Sequence, residues 1–162
     1  MNLDSAGLGL LKQFEGCRLD AYQDTAEIWT MGYGHAAGVV EGMTISQGQA
    51  DSFLLNDTEH ASNAVMALLC DFPRNFNQFD AMVSLAFNIG SRAFHSSTVL
   101  RQHRAGNYLA AADAFLMWDK DHQDGQLVVV PGLLERRGIE RAYYLNVPVG
   151  LVYPSREYFL RR

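Results

Sequence analysis

The sequence predicts an α+β, predominantly helical fold: a small β-hairpin lobe and a helical lobe joined by a long helix. Apolar residues recur at helical spacing along most of the chain. That period stops between Tyr22 and Tyr33, where β-branched and aromatic residues surround the polar run Asp24-Thr25-Ala26-Glu27, the pattern of a short hairpin. Ser46 followed three residues later by Gln49 is a capping-box signature. The apolar positions Phe53, Leu54, Ala61, Val65 and Leu68/Leu69 then carry a helix to about Cys70, long enough to bridge two lobes. With 162 residues and 48% hydrophobic content, the chain can bury a real core within one domain.

The elements follow in order. Ser5 is placed to cap a first helix over Leu8, Leu11 and Phe14, and Gly16 to end it, so Glu15 falls at a helix end. The hairpin lobe is expected over about 17–45, the linking helix over about 46–70, the helical lobe over about 71–147 and an irregular tail over 148–162. In the helical lobe Pro73 breaks the chain, and Asn77 is placed to cap an apolar helix of Phe79, Met82, Val83, Ala86 and Phe87 that stops at Gly90. Ser96 or Ser97 opens a short helix to His103. Tyr108 to Trp118 forms another. Asp119 to Gln126 is expected as a loop and Leu127 to Val130 as extended chain. Pro131 suits the first turn of a helix running through Leu145.

Composition narrows the function. Net charge is −5, with the first half of the chain strongly acidic and the second half mildly basic. An acidic balance is a poor footprint for a nucleic-acid binder, so Arg101, Arg104, Arg136, Arg137 and Arg141 are expected mostly on a solvated face and in internal ion pairs. Cys17 and Cys70 lack metal-ligand or disulfide-framework spacing and are expected as buried free thiols. The N-terminal segment does not resemble a signal peptide, and no apolar run approaches the roughly 20 residues of a membrane span.

Chemistry concentrates near the hairpin. Hydrolysis of a glycosidic bond usually takes two carboxyl groups, one protonated to assist the leaving oxygen and one ionised to activate water or attack carbon. Glu15 at a helix end and Asp24 on a turn are suited to face one cleft in unlike environments, which lets one stay protonated and the other ionised. Thr30, across the hairpin, is placed to bring a hydroxyl beside Asp24, where it can hold a water. Taken singly, each residue has an ordinary reading as a helix-end acid, a turn former or a strand residue.

Taken together, Glu15-x8-Asp24-x5-Thr30 within FEGCRLDAYQDTAEIWTMGYGH resembles the catalytic motif of phage-type lysozymes, the glycoside hydrolase family 24 endolysins. Tyr22, Trp29-Thr30 and Gly32-x-Gly34-His35 fit the same pattern. FNIGSRAFHSSTVLRQHRAGNYLAAADAFLMW looks like the family's second signature and GLLERRGIERAYYL like its terminal-helix signature. The resemblance runs from about Leu10 to Leu145. It implies a lysozyme-like fold with the glycan between the lobes. The implied activity is hydrolysis of the β-1,4 bond between N-acetylmuramic acid and N-acetylglucosamine of peptidoglycan, causing host cell lysis. Glu15 is the implied general acid, Asp24 the carboxylate that orients or activates water, and Thr30 its partner. His35, Phe87 and Ser97 fall where the family approaches its substrate, although His35 suits a hydrogen-bonded structural role, Phe87 a core position and Ser97 a helix cap. One guanidinium of Arg136, Arg137 or Arg141 is implied near Glu15. The resemblance calls for no metal or cofactor.

Peptidoglycan strands are the expected partner, with no nucleic acid, no stable membrane insertion and a monomeric enzyme. Accumulation in the host cytoplasm before release to the wall or periplasm follows as the expectation. A lytic transglycosylase cleaves the same bond with a single glutamate, but Asp24 and Thr30 argue against it. A catalytically inactive peptidoglycan-binding domain is the other alternative, and the retained functional residue types argue against that.

Overall fold

The computed structural model describes residues 3–123 and 125–146, so the expected tail over 148–162 lies outside the described residues. The chain divides into two compact units, Met1–Ala64 and Val65–Arg162.

The first unit opens with helix α1, Ser5–Glu15. Its cap is Asp4 rather than the expected Ser5: one Asp4 carboxylate oxygen accepts from the Ala6 and Gly7 amides at 2.8 and 2.9 Å. A carboxylate satisfies two of the orphan amides at once, which a serine hydroxyl one position later would leave open. Leu10 and Leu11 fill the buried stripe of α1. Gly16, at φ 63°, then turns the chain where an L side chain would be strained. Strands β1, Arg18–Gln23, and β2, Trp29–Gly32, form an antiparallel hairpin with Tyr22 opposite Thr30 and an irregularity between Arg18 and Tyr22. The outer edge of β1 is covered, because the Ala21 amide bonds Met43 O and the Ile45 amide bonds Leu19 O.

The expected capping box is present at the start of α2, Gln47–Asp57, with Ser46 as the cap and Gln49 closing the box. The single helix expected to about Cys70 is instead α2 followed by α3, Glu59–Leu68, with Thr58 between them. The Thr58 hydroxyl bonds Leu55 O at 2.8 Å, a back-bond that disturbs a helical ladder locally. The ladder still continues through Thr58 N to Leu54 O and Ser62 N to Thr58 O.

The second unit is built on α4, Phe76–Ile89, whose cap is Asn75 in a full capping box with Gln78, not the expected Asn77. Phe79, Met82, Val83, Leu85 and Ala86 of α4 are buried and α8, Pro131–Leu145, packs on this helix. Full burial of a side chain of that size contributes about 1.5–3 kcal/mol. Between them lie α5, Ser91–His95; α6, Thr98–Arg104; α7, Tyr108–Phe115; and a 3₁₀ turn over Leu116–Trp118. The segment expected as a loop forms a second hairpin, β3, Lys120–Gln123, paired antiparallel with β4, Gln126–Val129. Among the described residues, no helix is long and apolar enough to cross a membrane. Cys17 and Cys70 are free as expected but exposed rather than buried. One follows the end of α1 and the other follows α3, so neither sits on a core-facing stripe.

Within this unit His103 is buried, with Nδ1 at 2.6 Å from the Tyr144 hydroxyl. Burial lowers its pKa, the Pro73 carbonyl opposes that shift, and Arg74 adds to it. The folded state therefore favours neutral imidazole, while the unfolded chain titrates near an ordinary histidine, about pH 6.5. Below that value the unfolded state binds the extra proton, so stability present above it is lost as the pH falls. Urea unfolding at pH 5 and pH 7 is expected to show a smaller pH-dependent loss in His103→Gln than in wild type. Equal losses in the two proteins would show that His103 does not carry the effect.

Candidate active site

Glu15 is the last residue of α1 and is half-buried. Asp24 begins the turn that follows β1 and is exposed. Its Oδ1 accepts from the Ala26 amide at 2.8 Å and the Ile28 amide at 2.9 Å, and its own amide bonds Ile28 O at 3.0 Å. These bonds hold a turn in which Glu27 takes a left-handed conformation, φ 61°, one that disfavours an ordinary side chain by roughly 1–2 kcal/mol. Among the described residues, Oδ2 of Asp24 has no hydrogen bond.

Thr30 lies on β2 and is buried. Its hydroxyl donates to Ile28 O at 3.0 Å, the same oxygen that receives the Asp24 amide. The backbone of Ile28 therefore ties both residues: its N–H holds the carboxylate and its C=O takes the threonine proton. With its proton committed, the Thr30 oxygen presents lone pairs. Spacing predicts Thr30 across the hairpin from Asp24, but the mediating backbone has no signature in sequence.

His35 bridges to Met31 through the backbone. Its Nδ1 reaches the Asp57 carboxylate at 2.9 Å, its Nε2 lies 3.1 Å from Ala37 O, and its ring stacks on Phe53 at 4.2 Å. The Nδ1 contact and the ring stack fasten the end of the hairpin to α2, while Nε2 engages the loop just beyond it. Gly32, at φ 60°, is so close to α2 that an added Cβ would lie 3.4 Å from Ala50 Cβ.

The remaining candidates lie in the second unit. Phe87 is half-buried on α4. Ser97 is buried and caps α6, accepting from the Leu100 amide at 3.1 Å. Arg136 Nε and Arg137 Nη1 both pair with the fully buried Glu140, at 3.1 and 2.6 Å, and the Ser84 hydroxyl donates to the same carboxylate at 2.7 Å. Arg137 also donates to Trp118 O at 2.9 Å and to Asn88. Each of the three guanidinium nitrogens of Arg137 thus has a partner inside its own unit. Arg141 pairs with Asp113 at 2.6 Å.

Sequence spacing also passes over a cluster of Lys12, Tyr33, Gln47 and Asp51, joined by hydrogen bonds and an ion pair. A cavity of about 160 Å³ in the first unit is lined by Leu3, Leu55, Asn56, Glu59 and Ser62, none of them a candidate residue. Among the described residues, no group of three or more His, Cys, Asp or Glu is arranged to hold a metal ion.

Helix α1 is followed directly by a two-stranded hairpin, and together they carry two carboxyl groups and a threonine, the groups that glycosidic hydrolysis usually takes. The phage lysozyme profile matches residues 12–140. The chain is 44% identical over 151 residues to the endolysin of Salmonella phage P22, covering 90% of this chain and 99% of that one. It is 40% identical over 144 residues to the endolysin of Acyrthosiphon pisum secondary endosymbiont phage 1, covering 89% and 98%. The solved structure of the endolysin from Escherichia coli O157:H7 phage FAHEc1 superposes with a TM-score of 0.84 at 40% identity, over 96% of this chain and 98% of that one. The chain belongs to the phage lysozyme family and is a glycoside hydrolase of that type, with peptidoglycan as its substrate class.

Proposed function

We propose that this enzyme hydrolyses the β-1,4 bond between N-acetylmuramic acid and N-acetylglucosamine with inversion, using Glu15 as general acid and Asp24 with Thr30 to hold the attacking water. The observation that supports the reading is the backbone of Ile28, which bonds both residues. It leaves Asp24 Oδ2 and the lone pairs of Thr30 Oγ1 as two acceptors on residues tied to the same Ile28 backbone. A water that donates one O–H to each keeps a lone pair for the anomeric carbon.

In that step the bond from C1 to the bridging oxygen breaks and Glu15 protonates the departing oxygen. The water oxygen bonds C1, and its proton passes to Asp24. Solvent then restores both carboxyl groups. One half-buried and one exposed carboxyl provide the unlike surroundings such a division of labour requires.

The same reading has the enzyme act as a monomer, accumulate in the host cytoplasm and lyse the host once released to the wall. Two free, exposed thiols support a reducing compartment before release. Purified peptidoglycan should yield new reducing ends; anhydro ends would instead mark a transglycosylase.

The stereochemical test is sharper. A water between Asp24 and the sugar needs the two carboxyl groups about 6.5 to 9.5 Å apart and gives the inverted anomer. Proton NMR of the first-formed product is therefore expected to show inversion. A retained anomer, or a glycosyl adduct on Asp24, would replace the water-holding role with a nucleophilic one.

A further inference from the structure

We propose that Lys12, Tyr33, Gln47 and Asp51 form a clamp that positions Glu15 and Thr30 for the reaction, resting on the assignment of those residues given above. Lys12 lies in the last turn of α1, three residues before Glu15. Tyr33 directly follows β2, three residues after Thr30. Gln47 and Asp51 are one turn apart on α2. Lys12 Nζ meets Asp51 Oδ2 at 2.8 Å. Gln47 Nε2 donates to Asp51 Oδ1 and to the Tyr33 hydroxyl, both at 2.9 Å, and that hydroxyl donates to Asp51 Oδ1 at 3.3 Å. The Lys12 ammonium also lies 5.8 Å from the Tyr33 ring centre.

The segment carrying the acid and the segment carrying the threonine thus converge on one carboxylate of a third element. The close approach of Gly32 to Ala50 sets β2 against α2 at the same place. The final turn of a helix lacks partners for its last carbonyls and frays readily; at α1 the Lys12–Asp51 pair restrains it. The hydrogen bond between them raises the Lys12 pKa and lowers that of Asp51, which keeps the pair charged at neutral pH.

Both side chains remain about a third exposed, at 30% and 33%, and pairs of that kind contribute little to stability. Their effect falls on geometry, where a displacement of about 1 Å costs up to roughly 10² in rate. The clamp therefore separates turnover from stability.

Lys12→Met and Asp51→Ala are each expected to lower kcat about five- to twentyfold, with KM within about twofold of wild type and the melting temperature nearly unchanged. The double variant is expected to be no slower than the worse single one, because both remove the same link. Lys12→Arg is expected to recover most of the turnover. Tyr33→Phe removes only a hydroxyl, and is expected to lower kcat about two- to fivefold if the larger changes prevent folding. Asn75→Ala, which removes the α4 capping box in the other unit, serves as the destabilised control with wild-type kcat.

Wild-type kcat in Lys12→Met overturns the clamp. So does a loss of kcat that merely follows the melting temperature, or a double variant whose loss is the product of the two single losses. Glu15→Gln measured alongside separates the two levels. If it is inactive while Lys12→Met is unaffected, only the clamp fails; if it is fully active, the assignment beneath the clamp fails.

Discussion

Glu15→Gln is expected to lower kcat by roughly 10² to 10⁴ while the protein stays folded, because the amide keeps the shape of the side chain but carries no acidic proton. The bridging oxygen of a glycan is a poor leaving group until it is protonated, so the loss should fall on kcat rather than on binding. Glu15 is half-buried at the end of α1, with Gly16 fixing the turn beyond it. An isosteric amide should therefore leave the helix end undisturbed. Turbidity clearing and reducing-end release measure the rate, and circular dichroism with thermal melting verifies the fold. A folded variant with turnover near wild type would remove Glu15 from the acid role.

How much of this was legible in the sequence depended on how local each signal is. The box at Ser46 and Gln49 was readable because cap and partner lie three positions apart. The equivalent pair Asn75 and Gln78 carries the same signature, two positions before the expected cap at Asn77. Asp4 and Ser5 are both good caps, and only the geometry shows the carboxylate taking two amides.

The hairpin of β3 and β4 was missed because its first strand, Lys-Asp-His-Gln, has no apolar alternation. The Asp-Gly pair between the strands was the available clue. Helix α5, only five residues long, is too short for periodicity to register. Glu15, Asp24 and Thr30 stand out in the sequence because a helix end and a tight hairpin keep them close, and their roles are the proposal made above. The backbone bridge at Ile28 and the contact of Lys12 with Asp51 do not, since a backbone bridge and a long-range pair leave no spacing pattern.

Glu140→Gln is expected to be the most destabilising conservative change in the second unit. Glu140 is fully buried on α8 and its two oxygens are divided between Arg136 Nε and Arg137 Nη1, with the Ser84 hydroxyl as a further donor. Removing its charge leaves two buried guanidiniums without their shared counter-ion, and breaking a buried pair on one side costs about 3–5 kcal/mol. The glutamine amide also turns a donor toward one of two guanidiniums that can only donate. Because α8 packs on α4 through this group, with Ser84 supplied by α4, the loss should appear as cooperative unfolding rather than local fraying. For a domain of this size that corresponds to a melting temperature lower by about 10 °C or more. Replacing Glu140, Arg136 and Arg137 together by apolar residues of similar volume should recover part of the lost stability, since it also removes the two buried charges that Glu140 no longer balances. Thermal melting of the Glu140→Gln variant decides the matter: a shift of only a degree or two would mean that water reaches the guanidiniums, and that the cluster is not the sealed ion pair its burial describes.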